Sequence, residues 1–305
     1  MTADSNKPTK VLNDGFVRLI DFMGEDESIA QAARVSYAKG TKKVSEDRDL
    51  IRFLMRHEHY SPFACCQVKL HLRVPLFIIG QMHRHDRFHW SMMSARYSVM
   101  PDEKWAPVLP EDIRGQGQGN KQVGNGKLDV EAEEDAFIAI ESANENAQMN
   151  YQELLNLGVC REQARAVLPV GQYTEGFVTA NLGDWMLFLK QRLDPHSQKE
   201  IRVYAEAIEQ ILNQLFPVCM EAFRDYQLNR VVLSAAEAKA IHYWLDRSYF
   251  NNHEFVPTPE DEDGPDYDGV NFANAKRDTI VQLLGLSGII NKRETEEFIA
   301  KFKMD

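Results

Sequence analysis

The chain has 305 residues, 44% of them hydrophobic, which is enough to bury the core of one large domain with or without appended elements. Its formal net charge of -11 argues against a surface that coats nucleic acid, because such a surface draws its affinity from a basic stripe facing phosphates; a few local arginines can still hold a mononucleotide. No run of about 18 apolar residues occurs and the stretch from Met1 to Lys10 is polar, so neither a membrane span nor a secretory leader is expected, and the expected location is cytoplasmic.

Val11, Leu12, Phe16, Val17, Leu19 and Ile20 give a short strand-like start, and a helix is predicted through Ile29 to Val35. Ser45 can cap a second helix that has Glu46 and Asp47 in its first turn, Leu50, Ile51 and Leu54 on its apolar face, and its end near His57. Val68, Leu70, Leu72 and Val74 alternate with Gln67, Lys69, His71 and Arg73, a period-2 strand with one buried and one wet face. Pro75 suits the first turn of a following helix, on which Gln81, Arg84 and His85 would share one face.

Residues 102 to 135 interrupt the pattern. The run GQGQGNKQVGNGK and the acidic stretch after it read as a mobile surface insertion; no strand precedes the run and no GK[ST] ends it, which speaks against a phosphate-binding loop. Helical periodicity returns from Ala136 to Leu157 and from Ile201 to Tyr226. Beyond about Asn229, an acidic loop, VPTPEDEDGPDYDG, and a final helix near Arg293 to Lys303 read as a peripheral extension.

Chemistry-bearing residues crowd into one stretch, with His57, His59, His71, His83 and His85 accompanied by Arg84 and Arg87. A metal site is disfavoured, because His83 and His85 fall on different helix faces, no carboxylate sits at a ligand offset, and adjacent arginines repel a cation. Arginine suits an anion better, since its planar fork makes paired hydrogen bonds and stays charged. Cys65, Cys66, Cys160 and Cys219 form no CxxC pair and read as buried or free thiols.

The string MHRHDRFHWSMMSARYS, residues 82 to 98, resembles the signature of flavin-dependent thymidylate synthases, an Arg-His-Arg followed after seven residues by Ser and then Arg-Tyr-Ser. Arg84, His85, Ser94, Arg96, Tyr97 and Ser98 stand in register. The resemblance extends to Ala33 to Ser36, His57 to Phe63, Arg161 to Pro169, Tyr173 and Thr174, Asn181, Arg192 and His196 to Arg202, and so covers about residues 10 to 225 outside the insertion. It implies an α+β fold with an antiparallel-type sheet flanked by helices, a catalytic domain over residues 10 to 228, and a homotetramer with active sites between subunits.

The resemblance further implies reductive methylation of dUMP at C5, with FAD as cofactor and NADPH and 5,10-methylenetetrahydrofolate as cosubstrates. Gln81, Arg84, Ser94, Ala95, Arg96, Arg165 and Arg192 would hold the nucleotide. Ser36, Ser61, Arg84, His85, Asp86, Arg87, Asn181 and Leu187 would hold the flavin. Arg192, His59 and Ser94 are the implied catalytic set, with Ser94 read as a ligand because no Ser-His-acid arrangement is indicated.

Three positions depart from the family pattern. Asp86 replaces the third signature residue, an arginine; Met92 replaces a glutamate two residues before the serine; and Gly183 removes an arginine two residues after Asn181. The departures motivate alternative readings, namely hydroxymethylation or methylation of dCMP or dUMP, or a nucleotide- and flavin-binding protein without catalysis. A metal-dependent hydrolase built on the histidines is the remaining enzyme alternative.

Overall fold

The computed structural model describes residues 7–35, 44–117, 124, 126–239 and 241. Ser36, the side chain of Ser45, the acidic loop after residue 255 and the final helix lie outside the described residues. The chain divides into two compact units, Met1–Asn229 and Arg230–Asp305, and the elements below belong to the first.

Strands β1 (Thr9–Val11), β2 (Gly15–Met23), β3 (Gln67–Pro75), β4 (His89–Met92) and β5 (Tyr173–Asn181) form one sheet in the order β1-β2-β3-β5-β4, with every pairing antiparallel. The strand-like start is a hairpin of β1 and β2. Gly15 follows its turn because a Cβ there would meet the Tyr204 hydroxyl at 2.1 Å and the Val11 carbonyl at 2.7 Å.

The alternation expected in β3 is present. Val68, Leu70, Leu72 and Val74 are fully buried and face the helices, together with Val17, Leu19, Val178 and Ala180 from the neighbouring strands. The opposite face is polar and aromatic: Arg18 meets His71 Nδ1 at 2.8 Å, His71 Nε2 meets Glu175 at 3.2 Å, and the Phe16 and Phe177 rings flank the imidazole.

The helical layer comprises α1 (Asp26–Arg34), α2 (Val44–Arg56), α6 (Leu182–Arg192), α7 (Lys199–Leu215) and α8 (Pro217–Phe223). Ile29, Ile51, Met55, Trp185, Phe188, Tyr204, Ile208 and Phe223 bring side chains from each of these helices into one core with the sheet. Full burial of side chains of this size contributes roughly 1.5–3 kcal/mol apiece. The single helix expected from Ile201 to Tyr226 is two: Pro217 disfavours helical geometry at the residue before it, and Phe216 sits at φ -135°, ψ 60°. A π-helical turn, Arg224–Leu228, ends the unit.

Within residues 102 to 135, where a mobile surface insertion is expected, the described part holds local structure. Lys104 bridges Gln172, Gly115 bridges Gly126, and a 3-10 turn forms at Pro110–Asp112. The long helix α4 (Val130–Asn156) begins six residues earlier than its apolar periodicity indicates, because Asp129 caps it by accepting from the Ala132 amide at 2.8 Å. Among the described residues, no helix is long and apolar enough to cross a membrane.

Candidate functional site

Helix α3 (Leu76–Met82) starts from Pro75 as its N-cap and ends at Met82, so Gln81, Arg84 and His85 do not share a helical face as expected. The backbone tightens there into i to i+3 bonds, Arg84 N to Gln81 O at 3.4 Å and His85 N to Met82 O at 3.0 Å. Two forces favour the break. The Gln81 carbonyl also accepts from Arg192 Nη2 at 3.2 Å, and the His85 ring gains burial between Phe88 and Phe188.

The signature segment then runs along α6, antiparallel to it. His85 meets Arg192 and Phe188, Phe88 packs on Phe188 and Trp185, and Arg87 reaches Asp184. Positions 184, 185, 188 and 192 are spaced by one, three and four residues, so a single helical stripe carries the whole docking surface. At its start, Asn181 caps the helix by accepting from the Asp184 amide at 2.9 Å, while its own amide donates to Asp184 Oδ2 at 2.5 Å.

At the C-terminal end of α6, Arg192 Nε donates to His85 Nε2 at 3.3 Å. Burial, then the Arg192 charge, pulls the His85 imidazole down to about 4, so the ring is neutral and available as an acceptor at neutral pH. Burial and then the neighbouring Arg84 charge lower the pKa of Arg192. Among the described residues no carboxylate lies within ion-pair distance of either Arg84 or Arg192. Two adjacent guanidinium groups without a counter-charge are the arrangement that an incoming anion relieves.

Arg192 borders a groove of about 940 Å³ that Gln81, Leu187, Asp194, His196 and Gln198 help to line, and Arg84 lies close enough for its charge to act on Arg192. Gln81 Nε2 donates to Gln198 Oε1 at 2.6 Å across it. The expected nucleotide residues Gln81, Arg84 and Arg192 are thus brought together.

The remaining ones form a separate patch. Ser94 opens the turn after β4, where its hydroxyl accepts from the Arg96 amide at 3.3 Å. The Arg96 side chain reaches Glu162 at 2.9 Å, Ala95 packs against a small buried cluster around Ala164, and Arg165 closes the short helix α5 (Arg161–Ala164). Strand β4 lies between this patch and the groove end of the signature along the chain.

The expected flavin residues divide similarly. Asn181 and Arg87 meet through Asp184 at the start of α6, Asp86 lies exposed beside His85, and Leu187 is half-exposed on the groove wall. His59 and Ser61 are exposed on the turn between α2 and the 3-10 helix Phe63–Cys65, with His59 stacked on Phe53 at 6.3 Å. Among the described residues no group of three or more His, Cys, Asp or Glu could hold a metal ion.

Asp184 and Gln198 were not anticipated. Asp184 carries a readable signal in hindsight, an acid three residues after an Asn cap at the head of an apolar run; Gln198 lies within the matching stretch His196 to Arg202, which did not single it out.

Comparison with known proteins places these features in context. Residues 18–218 match the family described as thymidylate synthase complementing protein. The flavin-dependent thymidylate synthase of Gluconobacter oxydans is 40% identical over 237 residues, covering 77% of this chain and 78% of that one. The Thermus thermophilus enzyme of the same name is 42% identical over 231 residues, covering 76% and 83%. A crystal structure of the UMP/dUMP methylase PolB from Streptomyces cacaoi, bound with 5-Br dUMP, superposes with a TM-score of 0.65 at 31% identity, covering 72% of this chain and 99% of that one.

Proposed function

The chain belongs to the flavin-dependent thymidylate synthases, and from that premise we propose that it methylates C5 of dUMP with FAD as cofactor and with 5,10-methylenetetrahydrofolate and NADPH as cosubstrates. The observation that carries the nucleotide reading is Arg192 on the groove wall, within electrostatic reach of Arg84, with neither arginine ion-paired to a carboxylate among the described residues. A nucleotide phosphate supplies the missing charge.

Arg84, Arg192 and Gln81 bind and orient the nucleotide from one side. Ser94, Ala95, Arg96 and Arg165 bind it from the other, in a site assembled between copies in a homotetramer. In this reading Arg192 stabilises negative charge developing on the pyrimidine ring, an effect that grows as water is excluded. Ser94 acts as a ligand in this scheme, its hydroxyl accepting from the Arg96 amide.

The residues at the start of α6 fit a flavin carrying phosphates. Arg87 offers a guanidinium that is 73% exposed on an anchor, Asp184, that is 8% exposed. Arg87, Asn181 and Arg84 would hold the anionic parts, with Ser36, Ser61, Asp86, His85 and Leu187 completing the set and His59 near the flavin and folate rings. When bound, FAD supplies the hydride and takes part in passing the one-carbon unit from the folate. Arg87 restores here a cation that Asp86 and Gly183 withhold. The catalytic unit spans residues 10 to 228, a reading that the compact unit Met1–Asn229 and the family match support, with residues 229 to 305 as an extension.

The test is incubation of the purified protein with FAD, NADPH, 5,10-methylenetetrahydrofolate and either dUMP, UMP or dCMP, with products resolved by mass. A methyl gain on dUMP is expected. A hydroxymethyl gain, turnover of dCMP alone, or no turnover overturns the proposal.

A further inference from the structure

We propose that His85 is a positioning residue for nucleotide capture: its imidazole nitrogen holds the Arg192 side chain in the orientation from which the guanidinium faces the groove bordered by Gln81 and Gln198. The inference rests on the reading of that groove as the nucleotide site, and it gives His85 a task separate from the flavin contact implied by the sequence resemblance.

The geometry carries it. Arg192 has two acceptors among the described residues, His85 Nε2 at 3.3 Å for Nε and the Gln81 carbonyl at 3.2 Å for Nη2. These two bonds fix the plane of the guanidinium and leave Nη1 for a ligand. His85 cannot turn away, because its ring lies near-parallel to Phe88 at 5.4 Å and edge-on to Phe188 at 5.0 Å, with 8% of the residue exposed.

Both acceptors are neutral. A carboxylate in either place would cancel the charge the nucleotide phosphate needs, whereas a neutral imidazole orients the arginine and leaves its charge unspent. Burial supports this by keeping the ring unprotonated at neutral pH. The Arg84 charge nearby repels Arg192, and without the imidazole an extended arginine side chain is free to swing into solvent.

The test measures dUMP affinity, KM, kcat and bound FAD for the FAD-loaded protein as wild type, His85→Phe, His85→Gln, Arg192→Ala, and Arg192→Ala with His85→Phe. Phenylalanine keeps the ring and removes the acceptor; glutamine restores an acceptor oxygen. His85→Phe is expected to weaken dUMP binding and raise KM about tenfold, the loss of one hydrogen bond to a charged group, when measured at saturating FAD. His85→Gln is expected to recover most of that loss. In the Arg192→Ala background, His85→Phe is expected to change dUMP affinity by less than about twofold, because the bond it removes is already gone.

Wild-type dUMP affinity retained by His85→Phe overturns the proposal, as does loss of FAD with dUMP affinity intact, which assigns His85 to the flavin alone. An equal loss in the Arg192→Ala background overturns it too. Failure of the wild type itself to bind dUMP overturns the groove reading instead, and the inference with it. Should His85→Phe not fold, the Arg192 Nε–H resonance decides. Slow exchange with water and a shift in His85→Gln support the bond, and fast exchange in the wild type overturns it.

Discussion

Asp184 joins the start of α6 to the signature segment, and its replacement separates what it does for the fold from what it does for a ligand. In Asp184→Ala the chain loses the Asn181 amide bond at 2.5 Å, the ion pair with Arg87 at 3.2 Å, and a negative charge in the first turn of a helix. A hydrogen bond to a charged acceptor contributes about 1.5–3 kcal/mol and the helix-dipole interaction about 0.3–1 kcal/mol. The ion pair adds little, because the Arg87 side chain is 73% exposed and water screens it. The expected cost is therefore about 2–4 kcal/mol, measured by urea unfolding, of which a double-mutant cycle with Arg87→Ala assigns less than about 1 kcal/mol to the pair. Arg87→Ala alone is expected to leave unfolding within about 1 kcal/mol of wild type while weakening FAD binding tenfold or more, read by flavin fluorescence. A coupling above about 2 kcal/mol would refute the reasoning, because it would make Arg87 a structural partner that is not free to meet the cofactor.

Three further outcomes are expected. The buried Glu200 carboxylate at the first turn of α7 is paired by Arg114, so Arg114→Ala strands that charge and should lower unfolding free energy by about 3 kcal/mol, whereas Arg114→Ala together with Glu200→Gln should recover part of the loss. In the folded protein at pH 8 a thiol reagent should label the exposed Cys65 and Cys160; burial raises Cys66 to about 11 and Cys219 well above the thiol range, so these two should react only after denaturation. For His85, burial lowers the folded-state pKa to about 4 from an ordinary value of 6.5. The unfolded chain then binds the extra proton across that window, so this contribution is present above pH 6.5 and lost as pH falls to about 4. His85→Gln should flatten the wild-type slope there, by on the order of 2–3 kcal/mol in pH-dependent unfolding.

What could be read from the sequence, and what could not, follows from the range of the forces involved. The period-2 pattern of β3 was legible because its pleat imposes it, and Val68, Leu70, Leu72 and Val74 are all buried. The signature residues were legible from their order along the chain. Their grouping was not: continuing the helix past Met82 put Gln81, Arg84 and His85 on one face, and the actual assembly depends on Arg192 and Phe188, more than one hundred residues away. Long-range competition of this kind leaves no local periodicity. Lys104 was hidden for the same reason, since its bridge to Gln172 ties the supposed free insertion to the chain just before β5. Pro217, by contrast, marked the break between α7 and α8 in plain view, and the apolar periodicity on either side concealed it.

Because one stripe of α6 touches the signature segment from Asp184 to Arg192, that helix works as a ruler between two binding tasks. Each residue inserted or deleted within it would turn everything beyond by about 100° and shift it by about 1.5 Å. A single-residue change of length between Trp185 and Phe188 would thus leave either Arg87 or His85 facing the wrong side. Substitutions that respect this spacing can vary the chemistry at each end independently. Length changes cannot, and the tolerance of this fold to insertion should accordingly be concentrated in its loops, as in the stretch before α4, and be absent from the eleven residues of α6.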